Sequence, residues 1–357
     1  MLFSHKSKKP THPPLFFNGA EVLRVNEHKH LGLILDSKLS FFEHINEKIK
    51  NARKGVGVLK YFSSYLPIKT LDIIYKLFIR SLLDYCDVIY HIPSSSVTFN
   101  LSTSLHSLME SIERIQYQSA LAITGTWQGS NRNKLYDELG WESLSDRRWS
   151  RRLIQFFKIH NNMTPKYLKD NLPPNRNLAN NINCYHNIHC NTTRFMNSFY
   201  PDAVKSWNNL GEQFNSSKSI NIFKNNINNL IRPPPKPVFS VYDPKGLKYL
   251  FQLRVSLSAL KYHKKCHNFA DTPFDRCDCN CAREDTCHYL FHCKLYVLQR
   301  RNLVNSVTLI LRKYVGDNLV ENTDLLLYRH PTLSNHDNRL ILVSTIKFIK
   351  DTGRFNV

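Results

Sequence analysis

Cys277-Asp-Cys279-Asn-Cys281-Ala-Arg-Glu-Asp-Thr-Cys287-His288-Tyr-Leu-Phe-His292-Cys293 packs five cysteines and two histidines into seventeen residues. Soft thiolates and imidazoles at this density are the ligand set that a tetrahedral zinc ion selects. A closed structural site needs four ligands, so this run holds a surplus. Cys277, Cys279, His288 and Cys293 are the preferred set. Cys281 could stand in for Cys277 or Cys279, and Cys287 or His292 for a neighbour. Cys266 and His267 lie upstream as further candidates.

The rest of the chain bears on what such a site would serve. Lys and Arg number 49 against 28 Asp and Glu, a formal net charge of +21. That balance points to a polyanion partner, because each neutralised phosphate releases condensed counterions. The spacing His288-x4-Cys293 is that of zinc knuckles, which grip single-stranded nucleic acid. Cys277-x-Cys279 is tighter than the usual two-residue gap.

A chain of 357 residues, 42% hydrophobic, has room for two or three compact domains and enough apolar side chains to argue against wholesale disorder. The residues from Met1 to Pro14 are basic and proline-rich, unlike a secretory leader. Lys76, Arg80 and Asp84 interrupt the apolar stretch from Leu71 to Tyr85, so it does not suit a bilayer. The expected setting is intracellular, nucleus and/or cytoplasm, with no membrane partner. In a reducing compartment clustered cysteines favour metal over disulfides.

Periodicity predicts short strands followed by helices. Leu15-Phe16-Phe17, an Asn18-Gly19 turn and Glu21 to Val25 read as a β-hairpin, with a third strand from His30 to Leu35. Ile45, Ile49, Ala52, Val56 and Leu59 mark one face of a helix, while Lys50, Arg53 and Lys54 lie off that stripe. Pro67 opens a second helix with Leu71, Ile74, Tyr75, Phe78 and Leu82 along one side. A third runs from Leu105 to Thr124 with Leu108, Ile112, Ile115 and Ser119 in register. A fourth, Asp146 to His160, carries Arg147, Arg148, Arg151 and Arg152 on its first turns. Those arginines suit phosphate contact or a solvated face equally.

From Leu172 to Leu230 asparagine dominates, and Pro233-Pro234-Pro235 with Pro237 marks a stiff linker. Within that stretch Phe199 to Trp207 is a denser island whose aromatics are expected to pack. An amphipathic helix from Asn338 to Lys350 closes the chain. There is no Gly-rich phosphate loop, no Gly-x-Ser-x-Gly, no His-Glu-x-x-His and no Asp-Asp dipeptide. A spaced carboxylate set for a magnesium-dependent nuclease is also lacking, so no small-molecule substrate or catalytic residue is assigned.

Several motifs, in order, resemble the C-terminal part of a non-LTR (LINE-type) retrotransposon reverse transcriptase. Lys29-His30-Leu31-Gly32 through Phe41, with His44-Ile45, resembles the primer-grip strand after the catalytic palm, with His30 where that family commonly has an aromatic. Ile112 to Gln116, Ile123-Thr-Gly125, and Glu138 to Leu144 with Arg147-Arg148 are similar to its thumb and the helices beyond. Ser198 to Asn208 and Asp243-Pro-Lys-Gly246 look like its late segments. Glu284-Asp-Thr286, His288-Tyr-Leu290 and Cys293 resemble its Cys-Cys-His-Cys motif.

The resemblance implies that Cys277, Cys279, His288 and Cys293 are the ligands of a structural Zn2+, with Cys281 an extra. It implies a mainly α fold in four segments. Residues 1–40 would be the end of the palm, a short hairpin and strand remnant. Residues 41–165 would be the helical thumb and connecting helices, 166–237 an Asn/Pro-rich connecting segment, and 238–357 a small zinc-binding C-terminal domain with helices. RNA and DNA would be its partners: the element transcript and a template-primer duplex held by Lys50, Arg53, Lys54, Arg147, Arg148, Arg151 and Arg152. Tyr289 or Phe291 would stack on a base or pack around the metal. The aspartate pair that binds Mg2+ would lie before Met1, making this chain inactive alone as an RNA-directed DNA polymerase. The rival expectations are a pseudogene product without a stable fold, or a zinc-containing nuclease.

Overall fold

A computed structural model describes residues 1–4, 11–91, 103–178, 181–231, 241–314 and 322–356. The proline linker expected at 233–237, and the boundary placed after it, lie outside these residues. The protein is mainly helical, 59% helix with a few short strands. Among the described residues no helix is long and apolar enough to cross a membrane.

In chain order the elements begin with β1 (Phe16–Phe17), β2 (Ala20–Glu21), β3 (Glu27–His30) and β4 (Leu33–Asp36). There follow α1 (Phe42–Phe62), α2 (Ile68–Ile74), α3 (Ser81–Asp84), α4 (Asp87–Tyr90), α5 (Thr103–Thr124), α6 (Arg132–Leu139) and α7 (Leu144–His160). Then come α8 (Lys166–Lys169), β5 (Asn175–Leu178), β6 (Asn181–Tyr185), α9 (Thr193–Met196), α10 (Phe199–Asn208), α11 (Glu212–Asn215) and α12 (Ile220–Ile231). The chain closes with α13 (Pro244–Arg254), α14 (Lys261–Cys266), α15 (Val297–Leu311), α16 (Thr323–Leu327) and α17 (Asn335–Asp351).

The described strands form three antiparallel hairpins, β1–β2, β3–β4 and β5–β6. Asn18 and Gly19 both have positive φ, the backbone that a tight two-residue hairpin requires. The strand expected from His30 to Leu35 is interrupted directly after its first residue. Leu31 (φ 47°) and Gly32 (φ 82°) form a second such turn, pairing His30 with Leu33. The Tyr85 hydroxyl donates to the Leu31 carbonyl and fixes that turn. A Cβ at Gly32 would come within 2.9 Å of the same hydroxyl, so glycine is required there twice over.

The predicted helices form where the apolar stripes placed them. Ile45, Ile49, Ala52, Val56 and Leu59 of α1 are buried, as are Leu108, Ile112, Ile115 and Ser119 of α5. The helix after Pro67 departs from its stripe. A π-helical turn at Tyr75–Arg80 holds one residue more per turn and advances the phase. Leu71, Tyr75, Ile79 and Leu83 therefore point inward, and Phe78 is 65% exposed.

Two compact units emerge, each built from separated stretches. The first comprises Met1–Lys54, Phe78–Gln116 and Glu142–Arg232; the second comprises Gly55–Leu77, Tyr117–Trp141 and Pro233–Val357. In the first, Leu153, Phe156 and Phe157 of α7 meet Ala203, Val204 and Trp207 of α10 and Phe223 and Ile227 of α12. The described part of the asparagine-rich segment is thus folded and supplies core residues. Phe157 stacks on Phe223 at 4.5 Å, and Trp207 is fully enclosed. Each such side chain contributes roughly 1.5–3 kcal/mol by leaving water.

In the second unit α17 packs on α13, α15 and α16. Ser334 caps α17 by accepting from the Asp337 N–H. Asp243 caps α13 by accepting from the Gly246 N–H. Gly246 faces α17 so closely that a Cβ would sit 2.1 Å from Ile346 Cγ2.

Candidate metal centre

The cysteine-rich run belongs to the second unit and opens with a tight turn. The Asn280 N–H donates to the Cys277 carbonyl, with Asn280 at φ 58°, and the Cys277 N–H donates to Ala282. An isolated bridge pairs Arg276 with Arg283. The chain then enters a single π-helical turn, His288–His292, ended where the Cys293 N–H reaches the His288 carbonyl. Asp285 starts that turn by accepting from the His288 N–H at 2.8 Å.

This geometry brings four ligand atoms together. Cys277 Sγ is 3.5 Å from Cys293 Sγ, and Cys279 Sγ is 3.2 Å from His288 Nε2. All four atoms lie within 4.8 Å of one another, so the group could hold a metal ion. Metal–ligand bonds of about 2.3 Å to sulfur and 2.0–2.1 Å to nitrogen imply tetrahedral edges of about 3.5–3.8 Å. The Cys277–Cys293 separation lies on that frame and is far too long for a disulfide, while the Cys279–His288 separation falls about 0.3 Å short of it. Cys277, Cys293 and His288 are buried; Cys281, Cys287, His292, Cys266 and His267 are exposed and lie outside the group.

The thiols differ in acidity for physical reasons. Burial pushes Cys277 up to about 12 and raises Cys293 as well. Burial also opposes ionisation of Cys279, but the Cys281 N–H, the Cys277 thiol and the His288 ring outweigh it, lowering Cys279 to about 6. A divalent cation at the centre would favour all three as thiolates.

Supporting contacts hold the ligands from behind. Arg300 donates from Nε to the Leu290 carbonyl and from Nη2 to Cys293, both at 2.8 Å. Glu284 is 2% exposed, accepts from Arg354 Nε at 2.7 Å and Nη2 at 2.8 Å, and also takes the Lys261 N–H at 2.8 Å. Thr286 meets the His263 ring at 3.2 Å. The Glu284-Asp-Thr286 triplet thus has three structural jobs. Sequence reasoning missed Arg300 and Arg354, which are distant along the chain and carry no motif.

Tyr289 is not a free stacking platform. It is fully buried against Phe348, Phe355 and Tyr296, with its hydroxyl on Thr352 at 2.7 Å. Phe291 is half-buried.

The basic residues divide. Lys50, Arg53 and Lys54 are exposed on α1. The arginines of α7 are neither a solvated face nor four open phosphate contacts. Arg148 and Arg152 are 3% and 1% exposed, beyond reach of a phosphate in this conformation. Arg152 pairs with Asp202 at 2.6 Å, and Arg147 bridges Asp84 and Glu142. Arg151 Nε is 3.1 Å from Asp87 Oδ1, though neither Asp87 oxygen receives an aligned hydrogen bond. Arg147, Arg151 and Arg152 are held by Asp84, Asp87, Glu142 and Asp202, because buried guanidinium groups need carboxylates. Arg148 instead meets Met109 Sδ at 3.7 Å, and its Nε and Nη2 find no hydrogen-bond partner among the described residues.

No protein-family model matches the chain, and neither a curated protein nor a solved structure does.

Proposed function

We propose that this chain is a nucleic-acid-binding part of a non-LTR retrotransposon reverse transcriptase, with Zn2+ as a structural ion on Cys277, Cys279, His288 and Cys293. The observation that carries the reading is the convergence of three thiols and one imidazole in a chain of net charge +21. All four ligand positions of a tetrahedral ion are taken by protein, which suits a structural role and leaves no open position for catalysis. The ion would fix the turn and the π-helical turn as one rigid surface, and RNA or DNA would meet that surface through phosphate contacts. Lys50, Arg53 and Lys54, and Arg151, whose side chain is 36% exposed, are the remaining phosphate contacts. The Asp-Asp pair that a two-metal polymerase needs does not occur in this sequence, so binding is proposed and polymerisation by this chain is not.

Two measurements on the full chain test this. Elemental analysis should find about one zinc per chain; a ratio near zero removes the metal assignment. Binding of a labelled single-stranded RNA should weaken steeply between 50 and 200 mM salt. Absent or salt-insensitive binding refutes the electrostatic grip, and Mg2+-dependent DNA cleavage would favour a nuclease instead.

A further inference from the structure

Beside the candidate metal centre lies an open pocket of about 390 Å³, lined by Cys281, Ala282, Arg283, Asp285, Cys287, His288, His292 and Lys294. We infer that this pocket is a subsite for one phosphate-bearing nucleotide of a single strand. The inference rests on the nucleic-acid reading above and names where one nucleotide sits. The size excludes a lone ion as a snug occupant and falls in the range of small-ligand pockets, about 300–1,000 Å³.

Charge decides the sign of the ligand. Arg283 and Lys294 line the pocket together with the exposed imidazole of His292, against a single carboxylate, Asp285. Asp285 engages Arg283 through Nε at 2.7 Å, which leaves the terminal guanidinium nitrogens for an anion. The Arg283 guanidinium also lies 4.6 Å from the centre of the Tyr262 ring, so its fork is already oriented. Lys294 is exposed and makes no ion pair among the described residues. The small side chains of Cys281, Ala282 and Cys287 complete the wall, leaving room for a sugar or base.

The rival occupant is a second metal ion on Cys281, Cys287 and His292. Two observations oppose it. Among the described residues, Cys277, Cys279, His288 and Cys293 form the one group whose ligand atoms converge. A further cation would also face Arg283 and Lys294, whereas a phosphate is attracted by both.

The test uses the full zinc-loaded chain, an eight-nucleotide single-stranded RNA, adenosine monophosphate and inorganic phosphate. Lys294→Gln should weaken RNA binding about fivefold, the scale of one exposed ion pair. It should also reduce the steepness of log K against log salt by about 0.7, the value of one phosphate contact on a single strand. In the wild-type chain, RNA and the mononucleotide should slow alkylation of Cys281 and Cys287 by N-ethylmaleimide, while inorganic phosphate at equal concentration protects less. Equal protection by inorganic phosphate overturns the nucleotide assignment. Wild-type binding that is salt-sensitive, with Lys294→Gln and both alkylation rates unchanged, overturns the pocket and leaves the binding function standing. A wild-type chain that binds no nucleic acid overturns both.

Discussion

Glu284→Gln should destabilise the second unit by about 3 kcal/mol, an effect that follows from how the carboxylate is enclosed. The Glu284 side chain is 2% exposed and receives two guanidinium donors from Arg354 and one backbone N–H from Lys261. Breaking one partner of a buried pair costs about 3–5 kcal/mol, because the remaining charge is left uncompensated. After Glu284→Gln the orphan is Arg354, whose side chain is 18% exposed and can recover some hydration, which places the cost at the lower end. Arg354→Met strands the more enclosed carboxylate and should cost at least as much. The double variant should be markedly better than the sum of the two, with a coupling of about 2 kcal/mol or more. Urea unfolding followed by circular dichroism measures all three. A Glu284→Gln cost below 0.5 kcal/mol, or strict additivity in the double variant, would show that the pair is not what ties Arg354 to the cysteine-rich run.

Gly246→Ala should cost about 2 kcal/mol or more, since its methyl group would fall 2.1 Å from Ile346 Cγ2 at a helix–helix contact; an unchanged urea midpoint would contradict that packing. Asp87 titrates in the opposite sense to an ordinary ion-paired carboxylate. Burial raises it from 3.8 to about 6 despite Arg151, so its folded state prefers the proton. Its contribution is complete below about pH 4 and lost as pH rises through 6, at most about 3 kcal/mol. Asp87→Asn should flatten the stability difference between pH 4.5 and 7.5, and parallel profiles for both proteins would refute the assignment. Cys293→Ser should lower zinc content sharply while Cys281→Ser leaves it near one per chain; the reverse order would exchange ligand and bystander.

Local periodicity was enough for α1, α5, α7 and α17, because each has an apolar face repeated over several turns and a core to receive it. It failed after Pro67, where the π-helical turn moves the inward face from Phe78 to Ile79. Nothing local in Tyr75–Arg80 announces that extra residue. It failed again at His30 to Leu35, read as one strand although Leu31 and Gly32 form a turn. The turn depends on a hydroxyl from Tyr85, more than fifty positions on. The asparagine-rich segment was hard to read for a different reason. Phe223 and Ile227 make only a two-residue stripe on α12, and their partners in α7 and α10 are remote.

The α7 arginines expose the limit of reading charge from composition. A run of Arg147, Arg148, Arg151 and Arg152 looks alike whether it faces a phosphate backbone or a set of aspartates. Asp84, Asp87 and Asp202, all remote in sequence, decide the matter for Arg147, Arg151 and Arg152, with Glu142 as the one nearby partner. The net charge of +21 therefore overstates the cationic surface that α7 offers. The cysteine-rich run is the opposite case. Its four converging residues are separated by at most sixteen positions, so their convergence is governed by two local turns. The turn ending at Asn280 aims Cys277 and Cys279 together, and the bridge between Arg276 and Arg283 then carries Cys281 outward. The π-helical turn does the same at the other end, burying His288 and Cys293 while leaving Cys287 and His292 exposed. A surplus of ligand-type residues is thereby resolved by backbone geometry, and the excluded ones become the wall of the neighbouring pocket.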